Sequence, residues 1–326
     1  MRKPLLICMT PVRNEAWVLN AFLKATSLWV DYIIIADQNS TDGSREIALS
    51  YPKVILIDNN NPDFNEAERQ KLLIDRARQI EGDKILFGLD ADEIFSANFT
   101  QTQDWQKILS SVPGDVFWFQ WANIYSNQKE YWSPETFYPW MFHDDGIEPH
   151  GNYVRNMHSM RIPYPIDEKQ MFYVKDFKVM HLAYLNKARV ASKRRFYQFV
   201  DWEMNHRNSI TLSRTNAQIK NENSIYELPS NNIYIKPFFD FNLFECVDIS
   251  TIYFWFDRYI CERLNKYDMK EIRNLNIWDK EFLKEYNIKD PRTFWNKFVH
   301  LYLHYSEKTS KFIFIRLIDR VLKYID

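Results

Sequence analysis

Three carboxylates in four residues, Asp90, Asp92 and Glu93, stand directly behind the apolar run Ile85, Leu86 and Phe87. An apolar run of that length, bounded by polar residues, predicts a buried strand of a parallel sheet. The acids then fall at the carboxyl end of the strand, where open α/β sheets place their ligands. If the strand continues through them, Asp90 and Asp92 point to the same side. Two like charges that close repel unless something positive lies between them. A divalent cation answers that need: Mg²⁺ takes one or two carboxylates and completes its shell with phosphate oxygens. For a lone Asp-x-Asp the plainer alternative is a turn with solvated acids, so the rest of the chain has to decide.

The elements that must position these acids are legible upstream. Residues 5–9, 32–36 and 54–57 are short apolar runs that predict three more buried strands. Between them Leu19, Phe22, Leu23 and Thr26 follow helical spacing, residues 47–49 close a short helix, and residues 66–80 form a helix with Leu73, Ala77 and Ile80 on one face. Asn14 is expected to cap the first helix, and Ser40 or Thr41 the second. Strand and helix alternate at the spacing of βαβ units with right-handed crossovers. Residues 10–15, 37–42 and 90–93 should therefore meet on one side of the sheet.

Composition narrows the function classes. The chain has 326 residues, 46% hydrophobic and 17% aromatic, which is enough for a globular domain with an appendage. Only 6 glycines argue against Gly-rich phosphate loops, and a formal net charge of −1 gives no general pull toward nucleic acid. The cysteines, Cys8, Cys246 and Cys261, are odd in number and widely spaced, which predicts neither a disulfide frame nor a zinc site. The apolar run behind Arg2 and Lys3 stops at Thr10 and Pro11, short of a signal peptide and of a membrane span. The expected location is the cytoplasm, or the inner face of a membrane as a peripheral protein.

With TPVRNE at residues 10–15, DQNSTDGS at 37–44, Arg69 ahead of LLIDRA at 72–77, and FGLDADE at 87–93, the chain resembles the nucleotide-diphospho-sugar glycosyltransferases of GT-A fold, glycosyltransferase family 2. The likeness covers roughly the first third well and continues more loosely through MHSMRIPYP and residues 179–199. It implies an α/β, Rossmann-like, mostly parallel sheet flanked by helices, a donor such as a UDP-sugar, and Mn²⁺ or Mg²⁺. Carried over residue by residue, it implies that Pro11 and Val12 touch the nucleoside and that Glu15 lies near the ribose. Asp37 would begin the turn that reads uracil, Arg69 would reach the base or a phosphate, and Asp90 would bind near the ribose. Asp92 would hold the metal, with the late His181 completing its shell. Many relatives carry two adjacent acids after the second strand; here the second position is Gln38, which could pair with uracil or thymine but offers no charge. The family's inverting reaction also needs a general base for the acceptor hydroxyl.

Residues 115–121, DVFWFQW, predict a further strand of the sheet. Trp118, Trp121, Tyr125, Tyr131, Trp132, Tyr138 and Trp140 crowd behind it; most should pack in the core, with one or two stacking on a sugar ring. The polar loop at 143–150 lies in the region where relatives keep the base, which makes Asp144, Asp145 and Glu148 candidates for it; the plainer alternative for each is a solvated turn. Lys187, Arg189, Lys193, Arg194 and Arg195 could neutralise a diphosphate or anionic acceptor, or form a solvated helix face. The reading thus divides the chain into a catalytic domain at 1–206, with its donor half at about 1–95, and an Asn-rich linker leading into a mainly helical region at 207–326. In the last helix Phe314, Ile318, Val321, Leu322 and Ile325 share a face opposite Arg316, Asp319, Arg320 and Lys323. That face predicts docking on the catalytic domain or contact with an anionic membrane, where lipid-linked acceptors lie. Two other functions compete with this one: a sugar nucleotidyltransferase, disfavoured because TPVRNE has no glycine, and a non-catalytic carbohydrate-binding protein, disfavoured by the intact acids.

Overall fold

The computed structural model describes residues 3–96, 98–147, 159–162, 171–215, 225–227, 243–250 and 254–325. Two compact units emerge, Met1–Leu185 with Ser224–Thr251, and Asn186–Asn223 with Ile252–Asp326. The division falls at Leu185, not at the expected residue 206. The long helix after His181 buries Phe196 against Phe256 and Tyr259, so its core is shared with the C-terminal helices.

In the first unit a seven-stranded sheet runs β10-β6-β9-β4-β1-β2-β3. Its strands are β1 (Leu5–Val12), β2 (Tyr32–Asp37), β3 (Val54–Asp58), β4 (Lys84–Gly88), β6 (Val116–Phe119), β9 (Tyr138–His143) and β10 (Met171–Tyr173). The pairs β4–β1, β1–β2 and β2–β3 are parallel, joined by α1 (Ala16–Thr26), α2 (Ser44–Leu49) and α3 (Glu66–Arg78). Side-chain alternation explains why the strands are apolar on both faces. Leu6 and Cys8 join the core that contains Val18, Phe22 and Leu23 of α1, while Ile7 and Met9 join Leu73, Ile74 and Ala77 of α3. Each fully buried Leu or Phe of that kind contributes about 1.5–3 kcal/mol. The mostly parallel α/β sheet expected from the sequence is thus present, with β9 running antiparallel between β4 and β6.

The run at 115–121 does not make one strand. It breaks at Gln120, whose side chain accepts from Lys178 Nζ at 2.6 Å and donates to Pro134 O at 3.1 Å. After the break β7 (Trp121–Ile124) enters a second sheet of order β12-β8-β7-β11-β5, with β5 (Glu93–Phe95), β8 (Glu130–Trp132), β11 (Val179–His181) and β12 (Ile225–Glu227). A further helix, α4 (Gln103–Leu109), is capped by Thr102.

The second unit is helical: α5 (Lys187–Asn205), α6 (Ser209–Thr215), α7 (Trp255–Leu264), α8 (Met269–Ile272), α9 (Lys280–Glu285), α10 (Phe294–Tyr305) and α11 (Ile313–Ile325). Ile210, Val299, Leu303 and Leu322 form one of its cores. The apolar face read on the last helix is mostly uncovered, with Phe314 74% and Val321 57% exposed and Leu322 buried. Among the described residues no helix is long and apolar enough to cross a membrane.

Candidate active site

The carboxyl ends of β1 and β2 are tied together by side chains. Ser40 Oγ accepts from Asn14 N, Ser44 Oγ from Glu15 N and Asp42 Oδ2 from Ala16 N, each at 2.9 Å, and Asn14 Oδ1 accepts from Thr41 N at 2.7 Å. Asn14 is therefore not the helix cap: its φ is +53°, and residues of the second loop serve the first amides of α1 instead. Nor does Ser40 or Thr41 cap α2, whose N-cap is Gly43. Pro11 and Val12 are buried at this junction, and Glu15 accepts from the Trp17 indole at 2.6 Å.

Asp37 ends β2 almost fully buried. Its Oδ2 binds Arg45 Nη1 at 2.9 Å, while its Oδ1 is buried with no hydrogen-bond partner among the described residues. A buried acceptor without a donor is costly, and a ligand N–H would relieve it. Gln38 instead braces the loop behind β3, its Nε2 donating to Asn61 O at 2.7 Å and to Asp63 O at 2.8 Å.

Strand β4 ends at Gly88, and residues 90–93 form a turn closed by Glu93 N to Asp90 O at 2.9 Å. The acids therefore do not alternate along one strand. Asp90 stays partly exposed, Asp92 is buried, and Glu93 opens β5, which pairs antiparallel with β11 so that His181 lies opposite Glu93. This turn carries His181 to Asp92, with Nε2 3.7 Å from Asp92 Oδ2. The tautomer follows from a chain of contacts. Asn123 Nδ2 donates to Trp132 O at 3.3 Å, so its Oδ1 faces His181 Nδ1 at 2.7 Å and accepts that proton. His181 Nε2 then faces Asp92, the orientation of a metal-ligating imidazole whose other nitrogen is held by an outer partner. Two ligands on one ion with bonds near 2.1 Å sit roughly 3 Å apart, so a small contraction would bring both onto a divalent cation. Among the described residues no cluster of three or more His, Cys, Asp or Glu could hold a metal. Phosphate oxygens and water could supply further ligands, as for ions carried with nucleotides.

Arg161 was not anticipated from the sequence. It reaches in from a segment some 70 residues downstream, donating from Nη2 to Asp90 Oδ2 at 2.7 Å and from Nη1 to Glu93. Its guanidinium lies over the Trp140 ring, 5.3 Å from the centroid. Burial works against the charge on Arg161, but Asp90 and Glu93 more than offset it and hold its pKa above the usual value. Glu93 is fully buried, accepts from Trp121 Nε1 at 2.7 Å, and has its pKa pushed up to about 7 by burial and by the charges of Asp90 and Asp92, against the pull of Arg161. Gly88 makes the approach possible, since a Cβ there would lie 2.7 Å from Arg161 Cβ and 2.9 Å from its carbonyl oxygen. Glu66 of α3 accepts from Ser159 N at 3.0 Å and lies 3.7 Å from Arg69, which sets Arg69 beside the same segment. Trp121, Tyr138 and Trp140 form a stacked wall, Tyr138 and Trp140 at 5.3 Å and 9°, with the His181 ring stacked on Trp121.

The expected bases are placed elsewhere. Strand β9 is antiparallel to β4 with His143 opposite Ile85, and Asp144 N donates to Lys84 O. Asp144 and Asp145 therefore lie at the amino end of β4, roughly 13 Å of strand away from the end that carries Asp90. Asp144 is locked by Arg78 Nη2 at 2.8 Å. Glu148 lies outside the described residues. The basic cluster belongs to the second unit: Arg195 is buried between Asp257 and Asp279, and Arg189 lies over Phe256.

A mostly parallel sheet flanked by helices, with polar turns gathered at the carboxyl ends of β1, β2 and β4, is the GT-A arrangement. The model of glycosyl transferase family 2 matches residues 8–188, more than half the chain, and the chain belongs to that family. Among solved structures, glucosyl-3-phosphoglycerate synthase from Mycobacterium tuberculosis, in complex with Mn²⁺, UDP and glucosyl-3-phosphoglycerate, is 18% identical with a TM-score of 0.26. That match covers 37% of this chain and 44% of the synthase, so the chain spans under half of that neighbour. A 4-diphosphocytidyl-2C-methyl-D-erythritol synthase is 10% identical at a TM-score of 0.31, covering 44% of this chain and 76% of its own. No curated protein matches the chain.

Proposed function

We propose that this transferase moves a sugar from a nucleoside-diphosphate donor, a UDP-sugar in preference, to a hydroxyl of a glycan, lipid-linked or protein acceptor, inverting the anomeric centre. The observation that carries the reading is the opposition of Asp92 Oδ2 and His181 Nε2 at 3.7 Å, beside two cross-linked loops. Asp92 and His181 would hold Mn²⁺ or Mg²⁺, which supplies positive charge for the departing diphosphate as the glycosidic bond breaks. The buried Oδ1 of Asp37 accepts an N–H from the base, which suits uracil or thymine, and Pro11 and Val12 floor the nucleoside. Asp90, partly exposed, accepts from a ribose hydroxyl, with Glu15 nearby on the α1 side. Arg69 and Arg161 bring positive charge to the phosphate side, and the Trp121–Tyr138–Trp140 wall stacks on a sugar ring. The acceptor proton goes to a base other than Asp144 or Asp145.

A thermal-shift series with UDP-, GDP- and dTDP-sugars, each with and without Mn²⁺, tests this. Selective stabilisation by a UDP- or dTDP-sugar that needs Mn²⁺ is expected and should vanish in Asp92→Ala. Equal stabilisation by all nucleotides with or without Mn²⁺ would overturn it. Release of pyrophosphate from a nucleoside triphosphate and a sugar phosphate would point to a nucleotidyltransferase instead.

A further inference from the structure

We propose that α10 and α11 form a docking surface for an anionic phospholipid bilayer. Helix α10 buries Asn296, Val299, His300 and Leu303, and its opposite face carries Phe294, Phe298, Leu301 and Tyr305 at spacings of four, three and four. These four are 89%, 53%, 53% and 76% exposed. Helix α11 buries Asp319 and Leu322, half-buries Ile315, and leaves Ile313, Phe314, Leu317, Ile318 and Val321 at the surface. A folded protein does not ordinarily leave apolar stripes on two successive helices in water; such patches mark an interaction surface.

Charge selects the occupant. At 100° per residue Arg316, Arg320 and Lys323 fall along one border of the apolar arc of α11. All three are exposed, and none pairs with a carboxylate among the described residues. Together with Arg214 and Ser310 they line a groove of about 590 Å³. Its one acid, Asp319, is already held by Arg214 Nε at 2.8 Å and Tyr302 Oη at 2.8 Å. The groove is cationic and its rim apolar, the pairing that suits lipid phosphates beside acyl chains. A symmetric contact with a second copy would set the same cations against one another. With 13 residues α11 is about 20 Å long, too short to span a bilayer, so it lies along the interface with its cations at headgroup level.

The test uses the full chain and phosphatidylcholine vesicles with or without phosphatidylglycerol, read by co-sedimentation. The protein should pellet with the anionic vesicles, stay in solution with pure phosphatidylcholine, and be released by salt. Arg316→Glu, Arg320→Glu and Lys323→Glu together should weaken partitioning by roughly a hundredfold or more. Leu317→Ser with Val321→Ser, at positions 52% and 57% exposed, should weaken it without lowering the melting temperature. Nucleotide-dependent thermal shifts should be unchanged in both, which keeps this surface distinct from the donor site. Protein left in the supernatant with both vesicle types, or equal pelleting after charge reversal, would overturn the proposal. So would a concentration-dependent dimer in light scattering that Leu317→Ser abolishes, which would assign the face to a second copy.

Discussion

The two units handle buried charge in opposite ways. Around Arg195 in the second unit one cation is matched by two carboxylates, Asp257 at 2.6 Å and Asp279 at 2.5 Å, and Arg214 is matched by Asp319. In the first unit three acids stand within four residues: Asp90 and Glu93 share Arg161, and Asp92 faces the His181 ring at 3.7 Å. Satisfied pairs hold a fold in one arrangement, whereas a surplus of buried negative charge is tolerated where a ligand brings the missing positive charge. The comparison teaches where to look for function: in the cluster whose acids crowd into one turn instead of each meeting its own cation.

The largest effect should separate the units most sharply. Asp92→Ala is expected to lower sugar transfer by roughly 10²–10³-fold or more, while melting stays unchanged or rises because a repelling charge is gone. A normal rate in that variant would remove Asp92 from the chemistry. Arg195→Ala should do the reverse. It strands the buried Asp257 and should cost about 3–5 kcal/mol in urea unfolding, with activity per folded molecule retained; a fall in kcat at unchanged stability would break the contrast. Asn123→Ala frees the His181 ring to rotate, and the Mn²⁺ needed for half-maximal stimulation should rise by about tenfold.

The smallest effect is one of pH in the second unit. Burial, and then the Arg292 charge, lowers the His300 pKa against the pull of Asn274 and Asp290, and His300 Nε2 lies 2.8 Å from Asn274 O. A depressed histidine means that the unfolded chain takes up a proton below its ordinary pKa of 6.5 before the folded chain does. Stability should therefore fall as pH drops below that value, by at most about 1.4 kcal/mol per pH unit. His300→Asn should flatten the slope in urea titrations at a series of pH values; an unchanged slope would move the titration elsewhere.

The sequence carried much of the first unit because its signals are local. Apolar runs mark β1 to β4, and polar turns mark their ends. What failed was direction. Asp144 and Asp145 follow a strand close in sequence to the aromatic stretch, but β9 is antiparallel to β4, and reversal carries whatever follows it to the wrong edge. The break at Gln120 escaped notice because an apolar run does not show where a strand changes sheets. Arg161 was hidden by distance along the chain: one arginine in MHSMRIPYP has no local pattern, and only the acids it meets reveal its place. In α11 periodicity showed an amphipathic helix but not which arc is covered, since packing is decided by residues elsewhere.

Gly88 has a bearing on how the enzyme comes into being. The backbone around Arg161 rests where any other side chain at position 88 would stand, so the counter-charge for Asp90 and Glu93 is delivered by chain synthesised long after them. On the ribosome the early strands can pair and close around their helices while the acidic turn still waits for its arginine. A methyl group at that glycine would stand 2.7 Å from Arg161 Cβ, so a sheet that still formed would hold its arginine away from both acids.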